Sequence, residues 1–385
     1  MEFKEYLIED ALSAIIDYRG KTPQKSEYGI PTLSAKSVKN NFINYSECYY
    51  ISDDEYKRFM VRGFPKKGDI LLTTEAPMGI VARLDRDDVA VAQRLLTLRG
   101  KEGILDNDYL LYLLQSPYGQ GLLKAKETGT TVTGIKQAEF RKIVVKLPDY
   151  NIQKKISSFL RAIDSKISCN TKINDNLQQQ AATLFANLYN QAETEVGFTE
   201  IIQILGGGTP KTSENSFWNG NIPFFTPKDV GLPYTLTTEK TITEKGLTHC
   251  NSHLYPINTV FVTARGTVGK VGLPGVPMAM NQSCYALVGK DTHHLLVYFY
   301  TLKAVDRLKH KASGAVFEAI TTRDFESETI MKLSDEDAKA FLDIAEPIYQ
   351  AVLSNSIENL RLAALRDSLL PKLMSGEVDV SDIKI

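Results

Sequence analysis

The sequence predicts an α/β chain with mixed α+β heads: two globular heads joined by two long antiparallel helices, built as a pseudo-twofold internal repeat. Three observations predict it. Short phrases recur in the same order in the two halves of the 385 residues. Short β-rich runs sit between Gly, Pro and Asn turns in both halves. Each half closes on a stretch of about forty residues with helical apolar spacing.

The repeat is legible residue by residue. Gly20-Lys-Thr-Pro23 matches Gly207-Gly-Thr-Pro210, and Ile30-Pro31 with Lys36 matches Ile222-Pro223 with Lys228. Gly68-Asp-Ile-Leu-Leu-Thr-Thr74 with Gly79 matches Asn258-Thr-Val-Phe-Val-Thr-Ala264 with Gly269. Gln93 and Leu98 match Gln282 and Leu287; Gly129, Ile135 and Phe140 match Gly314, Ile320 and Phe325. The offsets drift between 185 and 192, as loop insertions in two related domains would produce. Strands are expected at Ile70–Thr74, Ile143–Leu147 and Thr259–Thr263. One amphipathic helix is expected in each head, near Tyr109–Leu123 and Leu295–Lys311.

From Asn151 to about Asn190 there is no Pro or Gly, and Ile152, Ile156, Phe159, Leu160, Ile163, Ile167, Ile173, Leu177, Leu184 and Leu188 recur at spacings of three, four and seven. That is a coiled-coil-like seam on a helix roughly 60 Å long. The second copy, about Asp335 to Leu370, uses Phe341, Ile344, Ile348, Val352, Ile357, Leu360 and Ala364. Pro347 should kink it or mark its true start, and Pro371 should end it. Narrow apolar stripes need a partner, so the two helices are expected to pack on each other. The implied segments are 1–149 and 193–333 for the heads, 150–192 for the central helix and 334–385 for the C-terminal helix and tail.

Net charge is -1 overall. By segment it is +1 (22 basic, 21 acidic), +3 (5 and 2), 0 (13 and 13) and −5 (5 and 10). This excludes a chain held to nucleic acid by global charge, though not local basic faces. Opposite helix charges favour pairing. Cys48, Cys169, Cys250 and Cys284 form no CxxC pair, which points to a reducing compartment. No signal peptide and no apolar window of ~18 residues is visible, so a cytoplasmic location is expected.

Catalytic signatures do not surface. All five histidines follow residue 248, so a task shared by both halves cannot use a His base. His249-Cys250-x-x-His253 is read as loop or core rather than metal, its fellow ligands being missing. There is no P-loop, no GxSxG elbow and no amino-methyltransferase Asn/Asp-Pro-Pro-Tyr/Phe motif. No catalytic residue, cofactor site or metal site is therefore assigned. The halves do share hydroxyl- and amide-rich loops beside cations. Candidate DNA contacts in the first head are Arg19, Lys21, Thr22, Gln24, Lys25, Ser34, Lys36, Ser37, Thr130, Thr131 and Lys136. In the second they are Thr209, Lys211, Thr226, Lys228, Arg265, Thr267, Lys270, Thr322 and Arg323. Lys and Arg neutralise phosphates, and Arg, Lys, Gln, Asn, Ser and Thr read base edges.

The layout resembles the specificity subunit of type I restriction–modification systems. Gly206–Val230 (GGGTPKTSENSFWNGNIPFFTPKDV) looks like the start of a target-recognition domain, and Thr259–Gly272 (TVFVTARGTVGKVG) like its central strand pair. Leu365–Val380 (LRDSLLPKLMSGEVDV) is similar to the family's ending, and Asn176–Phe185 resembles the end of its central helix. The departures are Glu75-Ala-Pro-Met78, where the second head has Arg265-Gly-Thr-Val268, and the helix entries Leu147–Gln153 and Leu333–Asp337.

The resemblance implies a non-catalytic, sequence-specific DNA-binding subunit. Each head would read half of a bipartite target, with the helices fixing the gap. Two adenine-N6 methyltransferase subunits and ATP-dependent translocating nuclease subunits would be its partners. S-adenosylmethionine, ATP and Mg would reside in those partners. The alternatives are a helical scaffold or anti-restriction-like protein with degenerate heads, and a duplicated nucleotide-binding enzyme. Target sequence and gap length are not readable from the residues.

Overall fold

The computed structural model describes residues 1–129, 133–231, 233–311 and 319–380. The chain forms two compact units, one of Met1–Lys166 with the segment from Leu362, the other of Ile167–Arg361. The division passes through both long helices, so each unit holds one head and one end of each helix.

In the first unit a four-stranded antiparallel sheet runs in the order Leu12–Asp17, Leu95–Gly100, Ile70–Thr73, Val81–Arg83. The central strand Ile70–Thr73 is buried along its whole length, which explains its unbroken apolar run. A second sheet places Ile30–Leu33 between antiparallel Tyr49–Ile51 and parallel Ala90–Val91. Phe3–Leu7 pairs with Val144–Pro148 and brings the chain back to the long helix.

The second unit repeats this connectivity. Its main sheet runs Ile202–Gly206, Cys284–Gly289, Val260–Thr263, Val271–Pro274, with Tyr234–Thr235 added in parallel at one edge. Trp218–Phe225 lies between antiparallel Lys240–Ile242 and parallel Ala279–Met280. Thr194–Gly197 pairs with Thr329–Lys332. The hairpin joining Ile70–Thr73 to Val81–Arg83 turns on Gly79 (φ +89°), and the one joining Val260–Thr263 to Val271–Pro274 turns on Gly269 (φ +72°). At those angles a Cβ is strained, and it would meet Gln120 Oε1 at 2.7 Å or Lys309 Cε at 2.6 Å.

The helix expected over Tyr109–Leu123 is two helices, Asn107–Gln115 and Pro117–Ala125. Ser116 takes extended angles (φ -64°, ψ 155°) because the following proline disfavours the helical region. Its hydroxyl then accepts from the Gly119 N–H and caps the next helix. The second head lacks that proline and forms one helix, His294–Lys311.

The long helices are Tyr150–Gln191 and Asp335–Ser375. The second starts at Asp335, where Ser334 Oγ accepts from the Asp337 N–H at 3.1 Å, and runs through both Pro347 and Pro371. Neither proline ends it: each removes one bond of a long ladder, while Phe341, Ala345, Tyr349, Val352, Leu370 and Leu373 anchor the flanking turns in the cores.

The seam also differs from the one expected. Ile173, Ile344 and Leu360 are exposed, whereas Asn170 and Asn174 are buried. In the second unit Asn170 Nδ2 donates to Glu358 and to Asn359 Oδ1 (2.7 and 2.9 Å). Asn174 Nδ2 donates to the Val352 carbonyl, and Asn174 Oδ1 accepts from Asn355 Nδ2 at 2.8 Å. Phe185 and Phe341 meet at 5.4 Å. Numbers rise on one helix as they fall on the other, so the pairing is antiparallel. In the first unit Arg366 of the C-terminal helix pairs with Asp164 of the central helix at 2.7 Å.

Candidate nucleic-acid interface

In each head the same loops meet at the turn of this hairpin. In the first head Thr73 Oγ1 accepts from the Ile80 N–H at 2.9 Å and donates to the Pro77 carbonyl, closing the loop Thr74–Met78. Thr74 donates its N–H to the Arg94 carbonyl and accepts from the Ile135 N–H, both at 2.9 Å. Glu75 forms a bridge with Gly134. Gln93 Nε2 donates to Thr22 Oγ1 at 2.7 Å, tying in the Gly-Lys-Thr-Pro loop. Arg19 Nη2 donates to the Ile135 carbonyl at 3.0 Å.

The second head repeats these bonds on the matching residues. Thr263 Oγ1 accepts from the Lys270 N–H and donates to the Thr267 carbonyl. Ala264 donates to the Ser283 carbonyl (2.8 Å) and accepts from the Ile320 N–H (2.9 Å). Arg265 bridges to Ala319, and Thr209 Oγ1 bonds Gln282. Thr267 Oγ1 donates to the Pro227 carbonyl at 3.1 Å, and Asp229 Oδ2 accepts from both the N–H and the hydroxyl of Thr226. The result is a cleft of about 490 Å³ lined by Thr226, Lys228, Arg265 and Thr267 with Glu239, Lys240, Asn281 and Ser283. Among the described residues nothing hydrogen-bonds the Arg265 guanidinium.

The predicted residues therefore divide. Arg19, Thr22 and Lys136 gather in the first head. Thr209, Thr226, Lys228, Arg265 and Thr267 gather in the second, with Thr322 and Arg323 just beyond Ile320. Lys21, Gln24, Lys36, Lys211 and Lys270 are exposed beside these loops. Lys25 lies with its ammonium 4.9 Å from the Tyr49 ring. Ser34 is half-buried, and its N–H donates to Ser37 Oγ at 3.3 Å. Ser37 is a correction: it is fully buried, bonded to Ser34 and Cys48, and supports the loop from within. Thr130 and Thr131 lie outside the described residues.

The loop junctions and the cleft also hold Glu75, Gln93, Arg94, Lys240, Asn281 and Gln282, which the sequence reading did not put among the candidate contacts. The repeat had aligned Gln93 with Gln282, and that match carried the signal. Glu75 and Arg94 form an ion pair at 2.7 Å.

The histidine cluster is used in packing. The His249 ring stacks on Phe217 at 4.9 Å and its Nδ1 lies 2.8 Å from the Lys245 carbonyl, while His253 stands edge-on to Tyr255. Among the described residues no three His, Cys, Asp or Glu side chains come together as metal ligands. Burial pushes the Cys284 thiol up to about 12, so it is no nucleophile at neutral pH. No helix among those residues is long and apolar enough to cross a membrane.

A family profile described as type I restriction modification DNA specificity domain matches twice, over residues 12–179 and 194–359. The chain is 24% identical over 398 residues to the type I restriction enzyme MjaIX specificity subunit of Methanocaldococcus jannaschii, covering 94% of this chain and 91% of that one. It is also 24% identical to the HindI specificity subunit of Haemophilus influenzae, over 81% of this chain and 87% of that one. The fold is similar to a crystal structure of the type I restriction-modification S subunit from M. genitalium, with a TM-score of 0.61, 16% identity, and 97% and 96% coverage of the two chains.

Proposed function

The chain belongs to the type I restriction modification DNA specificity family and is a non-catalytic DNA-specificity subunit; from that premise we propose that each head reads one half of a bipartite duplex target. The observation that carries this is the duplicated loop junction. The same Thr–Gln tie, hairpin lock and backbone bridge recur in both heads, while the side chains they present differ. A constant frame with variable presented groups suits two readers of different half-sites.

In this reading the recognition domains are 1–149 and 193–333, and the helical segments 150–192 and 334–385 fix the gap between half-sites. The DNA contacts come from Arg19, Lys21, Thr22, Gln24, Lys25, Ser34, Lys36, Thr130, Thr131 and Lys136 in the first head. In the second they come from Thr209, Lys211, Thr226, Lys228, Arg265, Thr267, Lys270, Thr322 and Arg323. Two adenine-N6 methyltransferase subunits and the translocating nuclease subunits join in the cytoplasm, and S-adenosylmethionine, ATP and Mg belong to them. Near-neutral heads imply weak DNA binding by the isolated chain, with affinity gained in the assembly.

A genome-wide map of methylated adenines tests this. Deleting the chain should abolish methylation at one split, asymmetric motif. Replacing residues 1–149 with another head should change one half-site only. Loss of both half-sites on that swap would refute the assignment of one head to each half.

A further inference from the structure

We infer that one equivalent position in the two heads reads chemically opposite bases: Arg265 specifies guanine in its half-site, and Glu75 specifies cytosine in the other. The inference rests on the DNA-reading function proposed above and names the chemistry of that same site.

The equivalence is structural as well as sequential. Thr74 and Ala264, the residues just before, make the same two backbone bonds, to Arg94 and Ile135 in one head and to Ser283 and Ile320 in the other. Thr73 and Thr263 lock the same hairpin with the same pair of hydroxyl bonds. Glu75 and Arg265 each then make the isolated bridge to the following loop, at Gly134 and Ala319. A backbone held at that many matching points presents the two side chains from the same place in each head. One is a carboxylate and the other a guanidinium.

The surroundings sharpen the contrast. Arg265 is exposed in a cleft with Lys228 and Lys240, its guanidinium free of any hydrogen-bond partner among the described residues. A guanidinium fork exposed beside two lysines matches the O6 and N7 acceptors of guanine, the commonest specific contact in the major groove. Glu75 faces Arg94, which stands where the second head has Ser283, and the pair is half open to solvent. A carboxylate accepts from the cytosine N4 amino group and repels guanine's O6 and N7. Arg94 balances its charge beside the DNA backbone.

Adenine methylation is mapped genome-wide in cells carrying the complete system with the wild-type chain, Glu75→Gln, Arg94→Gln, Arg265→Gln or Arg265→Lys. Arg265→Gln should lower the preference for guanine at one position of one half-site by roughly tenfold to a hundredfold and leave the other half unchanged. Arg265→Lys should keep part of that preference. Glu75→Gln should move one position of the other half-site from cytosine towards adenine, the base an amide matches. A misfolded head could not produce a change confined to one base pair.

Three results would overturn the inference. The first is a split target that neither Glu75→Gln nor Arg265→Gln alters. The second is complete loss of methylation with both Arg265 variants. The third is a first half-site whose guanine depends on Arg94, which would make Glu75 only its support. A map in which no methylation depends on this chain would instead refute the functional reading beneath it.

Discussion

Replacing Asn174 by alanine should destabilise the unit formed by Ile167–Arg361 by about 2–3 kcal/mol. Asn174 is 7% exposed, midway along the pairing of the two long helices. Its Oδ1 accepts a well-formed bond from Asn355 Nδ2 at 2.8 Å. Its Nδ2 makes two longer contacts, 3.3 Å to the Val352 carbonyl and 3.4 Å to Ser356 Oγ. One good bond is worth about 1 kcal/mol net, and the two long ones together contribute about as much again at most. A further cost comes from the group left behind: the half-buried Asn355 amide loses its partner, at up to about 1 kcal/mol. For a unit of this size that total lowers its unfolding temperature by roughly 5–10 °C, measured by calorimetry with the unit's transition resolved.

Asn174→Leu separates the two roles of the layer. Leucine fills the seam, so stability should return towards wild type, but the demand for one register is relaxed. In the methylation map the leucine variant should therefore blur the gap between half-sites. An alanine variant within about 0.5 kcal/mol of wild type, or a leucine variant with an unaltered gap, would refute the claim that this polar layer sets the register.

Phe185→Ala removes a ring 1% exposed that packs on Phe299 at 4.8 Å and on Tyr300 and Phe341, and should cost about 3–5 kcal/mol in urea unfolding of the same unit. Lys228→Ala should weaken DNA binding by the assembled complex uniformly across sequences and lower the slope of log affinity against log salt by about one; an unchanged slope with altered base preference would contradict a phosphate role. Burial, with the neighbouring His293, lowers the His294 imidazole to about 4. Between the unfolded value of about 6.5 and that folded value only the unfolded chain gains the proton, so stability falls as pH drops through this window. The loss should be on the order of 2 kcal/mol by pH 4, after discounting for partial exposure, and His294→Gln should remove that slope.

The sequence alone determined the duplication, the mixed α+β class, the main strands and the two long helices. Each leaves a one-dimensional signature: matched phrases in order, apolar runs for strands buried on both faces such as Ile70–Thr73, and three-four spacing along a helix. It also marked the loops that come together in each head, because Gly, Thr, Pro and Lys recur at the turns of both halves. The tertiary structure decided the rest. Which stripe of a long helix is buried depends on what stands opposite, so Asn170 and Asn174 entered the seam while Ile173 and Leu360 were left to solvent. Whether a hydroxyl faces a ligand or props a loop depends on packing, which is why Ser37 is internal and Thr22 is tied to Gln93. Above all, Glu75 and Arg265 looked like a local divergence in the sequence. The matched backbone bonds at Thr74 and Ala264 and the bridges to Gly134 and Ala319 hold the two residues in one place, because hydrogen bonds between segments far apart in the chain fix a side chain's place in a way no spacing along it can.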